Sequence, residues 1–274
     1  MERMAPARVI ETELALPGGL ILDDGRRLTR ARLRALTGAE EEWLAEARGV
    51  ASAVKVTRVL SSCVMALDGE SADTERIRRM LVGDRDYLML ELRRLTLGDE
   101  VVAVIACPAC NAPLDAEFQV SDVPVERRPQ TAAWYTGERG VRFRLPTGGD
   151  QEAVLGLEAP AAEEALLKRC LWGEEGVELS RAEREAAIAE MERQAPRVDL
   201  ELDLTCSECG HRFLTPFDMT AFFFEEMRAR SGQLLREVHT LAFYYHWSEA
   251  DILGLGRRRR HAYLNLLSDS LRQE

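Results

Sequence analysis

The sequence predicts an α+β protein that is mainly helical, with a small β platform, an acidic helical insertion and helical N- and C-terminal arms. Three observations support this class. Apolar residues recur at helical spacing in the first and last parts of the chain. Two Cys-x-x-Cys pairs each lie between segments that alternate as strands do. An acidic block rich in alanine and leucine separates the two pairs.

Composition indicates a soluble globular protein. The chain has 274 residues, 46% of them hydrophobic, and a formal net charge of −11. No apolar stretch reaches the roughly 18 residues that a membrane-spanning helix needs. The N-terminal residues are charged and contain no apolar core of a signal peptide, so we expect a cytoplasmic location. The negative charge disfavours nucleic acid as a general partner.

Residues 1–98 are predicted to form an N-terminal hairpin followed by a helical unit. Residues 8–22 alternate and are interrupted by Pro17-Gly18-Gly19, where we place the hairpin turn. Residues 51–67 are apolar enough for a largely buried helix. Capping patterns predict helix starts at Thr37 (with Glu40 as its capping-box partner), Asp73 and Asp84, and helix ends at Gly83 and Gly98.

The β platform is predicted from residues 99–149 and 197–217. Strand-like segments precede and follow each cysteine pair, and residues 141–146 are a further candidate strand. Residues 150–196 form the acidic insertion, with helices expected over 159–172 and from a Ser180 cap to 194. Residues 218–274 are predicted to be a C-terminal helical arm.

Cys107, Cys110, Cys206 and Cys209 are the candidate metal ligands. Two intervening residues allow both sulfurs of a pair to turn toward one ion, and two such hairpin tips hold one tetrahedral Zn²⁺ in a zinc ribbon. The pairs are much farther apart than the usual ~15–20 residues, so we interpret the acidic block as an insertion between them. Two separate redox motifs, buried unmetallated cysteines, or His211 replacing Cys209 as a ligand remain alternatives.

Other reactive residue types suggest no second site. Cys63 and Cys170 lie on apolar helix faces and are expected in the core. His239 and His246 are interpreted as ordinary core or surface histidines. The chain has no HExxH, GxSxG or P-loop motif, and we therefore expect no enzymatic activity.

Two features of the C-terminal arm are candidates for partner binding. The arginine run 257–260 is interpreted as the solvated or partner-binding face of an amphipathic helix. Aromatic residues cluster at 222–224 and 243–247. Because consecutive aromatics cannot all face the same side of a helix, we expect some of them to remain exposed for a partner.

Several segments together resemble a known family. Residues 83–110, the second cysteine pair with its surroundings (206–213), residues 241–267 and the opening segment 16–46 look like the baseplate-hub assembly proteins of T-even phages. They are more similar still to zinc-ribbon versions encoded with phage-like contractile injection systems. The resemblance implies an assembly factor or baseplate component that acts in the cytosol on baseplate, hub or spike proteins.

The residues themselves are consistent with such a binding module. They indicate an acidic protein with one structural Zn²⁺, surplus apolar helical surface and no catalytic set. The alternative is a zinc-ribbon regulator that binds nucleic acid. The acidic neighbours of Cys206, among them Asp203 and Glu208, favour the protein-binding interpretation.

Overall fold

The computed structural model describes residues 9–137, 140–172 and 180–272. Residues 1–8, 138–139, 173–179 and 273–274, which include parts of the predicted N-terminal unit, β platform, insertion and C-terminal arm, lie outside the described residues. Within the described residues the chain combines helices with small β-sheets, which confirms the predicted mixture of the two. None of the described helices has the length and apolarity that crossing a membrane requires.

The N-terminal sheet has three antiparallel strands in the order β1 (Glu11–Ile21), β2 (Arg27–Arg34) and β3 (Val64–Leu67). The turn between β1 and β2 lies at Leu22–Arg26, where the Leu22 N–H donates to the Arg26 carbonyl at 2.8 Å. The prediction of a turn at Pro17-Gly18-Gly19 is therefore wrong. These residues lie inside β1, where the register with β2 shifts between Ala15 and Leu20.

The irregular part of β1 is fixed by a buried carboxylate. The Gly18 and Gly19 N–H groups donate to the two oxygens of Asp84 at 2.7 and 2.9 Å. Asp84 was predicted to cap a helix, but the helix α4 (Val82–Leu97) begins two residues earlier and Asp84 is fully buried. Asp84 thus links the irregular part of β1 to α4. A local capping pattern does not predict such a tertiary contact.

The remaining helices of this unit are α1 (Gly38–Glu46), α2 (Ser52–Cys63) and α3 (Thr74–Arg79). The capping box of Thr37 and Glu40 and the Asp73 cap are confirmed. The helix predicted over 51–67 ends earlier, because its last residues pair with β2 as β3.

Gly83 was expected to end a helix but lies in the first turn of α4. A Cβ atom there would clash with the backbone carbonyl of Pro196, so this position needs glycine for the close approach of the two segments. Gly98 does end α4, as predicted.

The main core joins the N-terminal sheet to the C-terminal arm. Leu33, Leu60 and Leu88 are fully buried and pack in one cluster with Phe223 and Phe224. The two phenylalanines belong to α8 (Met219–Ala229). The beginning of the arm is therefore part of the main core.

The acidic insertion forms a smaller core cluster together with residues of the segment that precedes it. It contains α5 (Gly148–Ala153), α6 (Ala159–Cys170) and α7 (Arg181–Gln194), and its core is built around Phe143, Leu167, Cys170 and Met191. The Ser180 capping box of α7 is confirmed.

Short strands connect the insertion to the rest of the chain: β6 (Val125–Glu126) pairs with β9 (Arg197–Val198), and β7 (Tyr135–Thr136) with β8 (Arg142–Phe143). Of the strand predicted over residues 141–146, only residues 142–143 form a paired β-strand. The β6–β9 pair brings the two ends of the segment between them together.

The C-terminal arm continues with α9 (Ser231–Tyr245), α10 (Glu249–Leu253) and α11 (Arg257–Arg272). Arg260, in the first turns of α11, is 0% exposed. Its Nη2 donates to both oxygens of Glu41 at 2.9 and 3.0 Å, and its Nε donates to Glu237 at 2.9 Å. The interpretation of the whole arginine run as an outer face is thus wrong for Arg260, which joins α11 to α1 and α9.

Replacing Arg260 with methionine is expected to lower the free energy of unfolding by about 3–5 kcal/mol, because the change leaves the buried carboxylate of Glu41 without its ion pair and removes one partner of Glu237, which keeps Arg257 and His261. Urea denaturation measures this. The control is Arg258→Met, an exposed residue of the same run, for which the change should stay within about 0.5 kcal/mol. Equal effects of the two substitutions would contradict the buried ion pairs.

Because Asp84 is buried, we expect the stability of the protein to depend on pH in an unusual way. Burial raises the pKa of Asp84 from 3.8 to about 6, although the N–H groups of Gly18 and Gly19 lower it. Between about pH 4 and pH 6 the native state then holds a proton that the unfolded state has lost, so this group makes the protein less stable as pH rises through that window. The full effect is up to about 3 kcal/mol.

The measurement is the free energy of unfolding of the wild type minus that of Asp84→Asn, taken at intervals from pH 4 to pH 7. The asparagine does not titrate, so the difference isolates Asp84. It should fall with rising pH; a difference that rises or stays constant contradicts the raised pKa.

Candidate metal centre

Two antiparallel hairpins carry the four candidate ligands. The first hairpin is β4 (Glu100–Ala106) with β5 (Pro113–Gln119), and the second is β10 (Glu201–Thr205) with β11 (Arg212–Pro216). Cys107 and Cys110 lie at the tip of the first hairpin, and Cys206 and Cys209 at the tip of the second. The alternating apolar residues that predicted these strands face inward, as Val101, Ala103 and Leu202 do.

The two tips have the same hydrogen-bond pattern. In the first, the Cys107 N–H donates to the Ala112 carbonyl at 2.9 Å and the Asn111 N–H to the Cys107 carbonyl at 2.8 Å. The second tip repeats these bonds: the Cys206 N–H donates to the His211 carbonyl and the Gly210 N–H donates to the Cys206 carbonyl, both at 2.9 Å. Each pair is therefore held in a tight turn by its own backbone.

The residue after each pair adopts a left-handed conformation. Gly210 has φ +72° and Asn111 has φ +59°. Asparagine is among the few non-glycine residues that adopt this region readily. Asn111 was not among the residues predicted from the sequence, although its place directly after the second cysteine of a pair is the signal that could have identified it.

The four sulfur atoms converge at one point. All four lie within 4.8 Å of one another. The Sγ atoms of Cys107 and Cys209 are 3.8 Å apart, and those of Cys110 and Cys206 are 3.6 Å apart. No disulfide joins them. Zn–S bonds of about 2.3 Å in a tetrahedron place sulfurs about 3.8 Å apart. The donor set therefore fits a tetrahedral thiolate-preferring ion such as Zn²⁺.

Polar backbone groups favour one thiolate in the cluster. Burial raises the pKa of the Cys107 thiol, but N–H groups of Cys110 and Ala109 outweigh it and lower the pKa to about 7. A cation would have to displace the protons of the remaining thiols, because a ligating cysteine is deprotonated.

Aromatic packing connects the bases of the two hairpins. The rings of Phe118 and Phe217 meet edge to face with centroids 5.5 Å apart. Both side chains pack against a small core that includes Val101 and Met219. Leu114 and Phe213 lie beside Cys107 and Cys206 near the tips. The hairpins thus contact each other near their bases and again near their tips, where the sulfurs meet.

The other sequence candidates lie away from this cluster. His211, the alternative ligand, stacks on Phe213 with ring centroids 5.8 Å apart and is not part of the four-sulfur group. Cys63 and Cys170 are buried as predicted, and burial raises their thiol pKa values to about 12 and about 11. Within the described residues no further group of three or more His, Cys, Asp or Glu side chains is arranged to hold a metal.

Fold and site together define the class of this protein: mixed helices and small sheets, with two distant hairpins joined at a four-cysteine cluster suited to a metal. Residues 20–171 match the family described as T4 bacteriophage base plate protein. Because this match spans more than half of the chain, the protein belongs to that family, and the predicted relation to phage baseplate proteins is confirmed. The match includes the first cysteine pair and ends before the second.

No curated protein and no solved structure matches the chain.

Cys107→Ser and Cys206→Ser are each expected to lose one equivalent of zinc per chain and to lower the melting temperature by about 5 °C or more, because either change leaves three thiolates. Metal analysis and calorimetry of the purified variants measure both effects. Cys170→Ala, a buried cysteine outside the cluster, is the control and should keep its zinc. Unchanged zinc content in both serine variants contradicts a shared site.

Proposed function

We propose that the protein is a non-catalytic assembly factor or component of the baseplate of a phage tail-like contractile particle. It acts in the cytoplasm and binds baseplate, hub or spike proteins. The observation that carries the proposal is the baseplate-family match over residues 20–171. The four-cysteine cluster and the exposed apolar surfaces described below support it.

The proposed zinc ion is structural. Cys107, Cys110, Cys206 and Cys209 supply four thiolates, which complete a tetrahedral coordination and leave no position for water or substrate. Bound there, the ion would stabilise the contact between the two hairpins. In that role it would resemble a cross-link that closes the long loop between the two cysteine pairs. The entropic cost of closing such a loop grows only slowly with its length.

Helical surface in the C-terminal arm is available for partners. Leu235 and Phe243 of α9 are 59% and 65% exposed, and Tyr244 is exposed beside them. Leu235, His239 and Phe243 follow one another at intervals of four residues, so they share one side of the helix. Large apolar side chains on one exposed stripe are typical of protein–protein contacts.

Electrostatics favour protein partners over the nucleic-acid alternative. Beside the second hairpin tip, Arg212 is paired with Asp203, so its charge is neutralised. Arg260 of the arginine run is buried in ion pairs with Glu41 and Glu237, so it cannot contact a phosphate. The net charge of −11 adds a general repulsion for phosphates.

The test is co-purification with the baseplate, hub and spike proteins of the same particle, each co-expressed with this chain. We expect a stable complex with at least one of them. The double variant Leu235→Asp/Phe243→Asp should weaken that complex by about tenfold or more, because it places charges in the apolar contact.

Leu155→Asp/Leu157→Asp is the matched control, since both leucines are exposed outside the arm, and it should leave binding unchanged. Failure of every candidate to co-purify rejects the proposal. A salt-sensitive affinity for DNA or RNA in a filter-binding titration would instead favour the regulator.

A further inference from the structure

The first hairpin has an outer face that packs on nothing in the described chain. Glu100, Val102 and Val104 of β4 lie on one side of the hairpin, because alternate residues of a strand share a face. The register places Glu117 opposite Val102 and Asp115 opposite Val104. These five residues define the outer face; the inner face, with Val101, Ala103 and Ala116, is buried.

The two valines of the outer face are strongly exposed. Val102 is 52% and Val104 is 66% exposed, although both belong to a hairpin whose other side is closely packed. Threonine has a similar preference for strands and would suit an exposed face as well. Strand preference alone therefore does not explain two apolar side chains at neighbouring positions of one face.

The charges of the outer face are uncompensated. Glu100, Asp115 and Glu117 form no ion pair within the described residues, and every other residue on this side of the hairpin is uncharged. On the second hairpin, in contrast, Asp203 is paired with Arg212. The outer face therefore combines two exposed valines with three carboxylates and no cation.

We propose that the outer face of the first hairpin docks a basic amphipathic helix of a partner protein. Apolar side chains of that helix cover Val102 and Val104, and its lysines or arginines pair with Glu100, Asp115 and Glu117. The proposal rests on the proposed function, because it assigns one surface of the baseplate protein to a kind of partner.

The dimensions fit a single helix. Two strands spaced about 4.8 Å apart, with their side chains, give a face of about 10 Å, close to the diameter of an α-helix. The seven residues of β4 extend over about 24 Å, which corresponds to about 16 helical residues.

Charge also selects the occupant. A second copy of this face would bring carboxylates against carboxylates, and a nucleic acid would bring phosphates against them; both contacts are repulsive. A basic helix gains complementary charge and apolar contact together. The hairpin is held by the packing of its inner face and by the tight turn at its tip, so little ordering is needed on binding.

The test uses the full chain and a synthetic 16-residue helical peptide with leucines on one face and lysines on the other. Two control peptides accompany it: one with glutamate in place of lysine, and one with the same composition but no apolar face. Fluorescence anisotropy measures affinity, and amide chemical shifts map the site. We expect only the first peptide to bind, with shifts centred on β4 and β5.

Two variants test the face itself. Asp115→Asn/Glu117→Gln is expected to weaken binding about tenfold at low salt, since it removes two carboxylates. Val102→Thr/Val104→Thr is expected to weaken it about tenfold through lost apolar contact. Glu163→Gln/Glu192→Gln, which removes two exposed carboxylates from α6 and α7, is the matched charge control and should leave affinity unchanged. All variants should keep the zinc content and melting temperature of the wild type.

Several outcomes overturn the proposal: equal weakening by the charge control, equal binding of the peptide without an apolar face, shifts centred elsewhere, or no binding. A dimer in light scattering that the Val102→Thr/Val104→Thr variant abolishes would assign the face to a second copy instead. Because the peptide assay needs no baseplate protein, its failure and the failure of co-purification are separate results.

Discussion

The convergence of four sulfur atoms is the constraint on which the arrangement of the β platform depends. Residues 111–205 lie between the two cysteine pairs, yet the sulfurs of both meet within 4.8 Å. This convergence brings the tips of the two hairpins together and requires the intervening chain to leave and return at nearly the same place. The pairing of β6 with β9 meets this requirement, because it holds the ends of the intervening segment together.

Buried polar ties connect the other parts of the chain. The carboxylate of Asp84 holds the irregular stretch of β1, and the guanidinium of Arg260 holds the C-terminal arm between Glu41 and Glu237. A buried charge is tolerated where partners satisfy it, and these partners come from segments far away in sequence. Both contacts therefore specify which distant segments associate. The Arg260 contacts help explain why the C-terminal arm packs against α1.

The surfaces left free by this packing differ in character. The outer side of α9 offers leucine and aromatic side chains, whereas the first hairpin offers valines among carboxylates. Two chemically distinct surfaces on one chain suit two distinct partners. A metal bound by the four cysteines would hold the first hairpin to the second at their tips.

Features that depend on residues close together in the chain could be predicted from the amino-acid sequence. The capping boxes at Thr37 and Ser180 and the two cysteine turns follow from residues a few positions apart, and the structure contains them. Family membership could also be inferred from the order of its segments. The β1–β2 turn was misplaced, because Pro17-Gly18-Gly19 has local turn chemistry that Asp84, more than sixty residues away, converts into a strand irregularity. The burial of Arg260 and the exposure of Arg258 depend on tertiary contacts. The two arginines look alike in the sequence, and only Arg260 meets the distant carboxylates of Glu41 and Glu237.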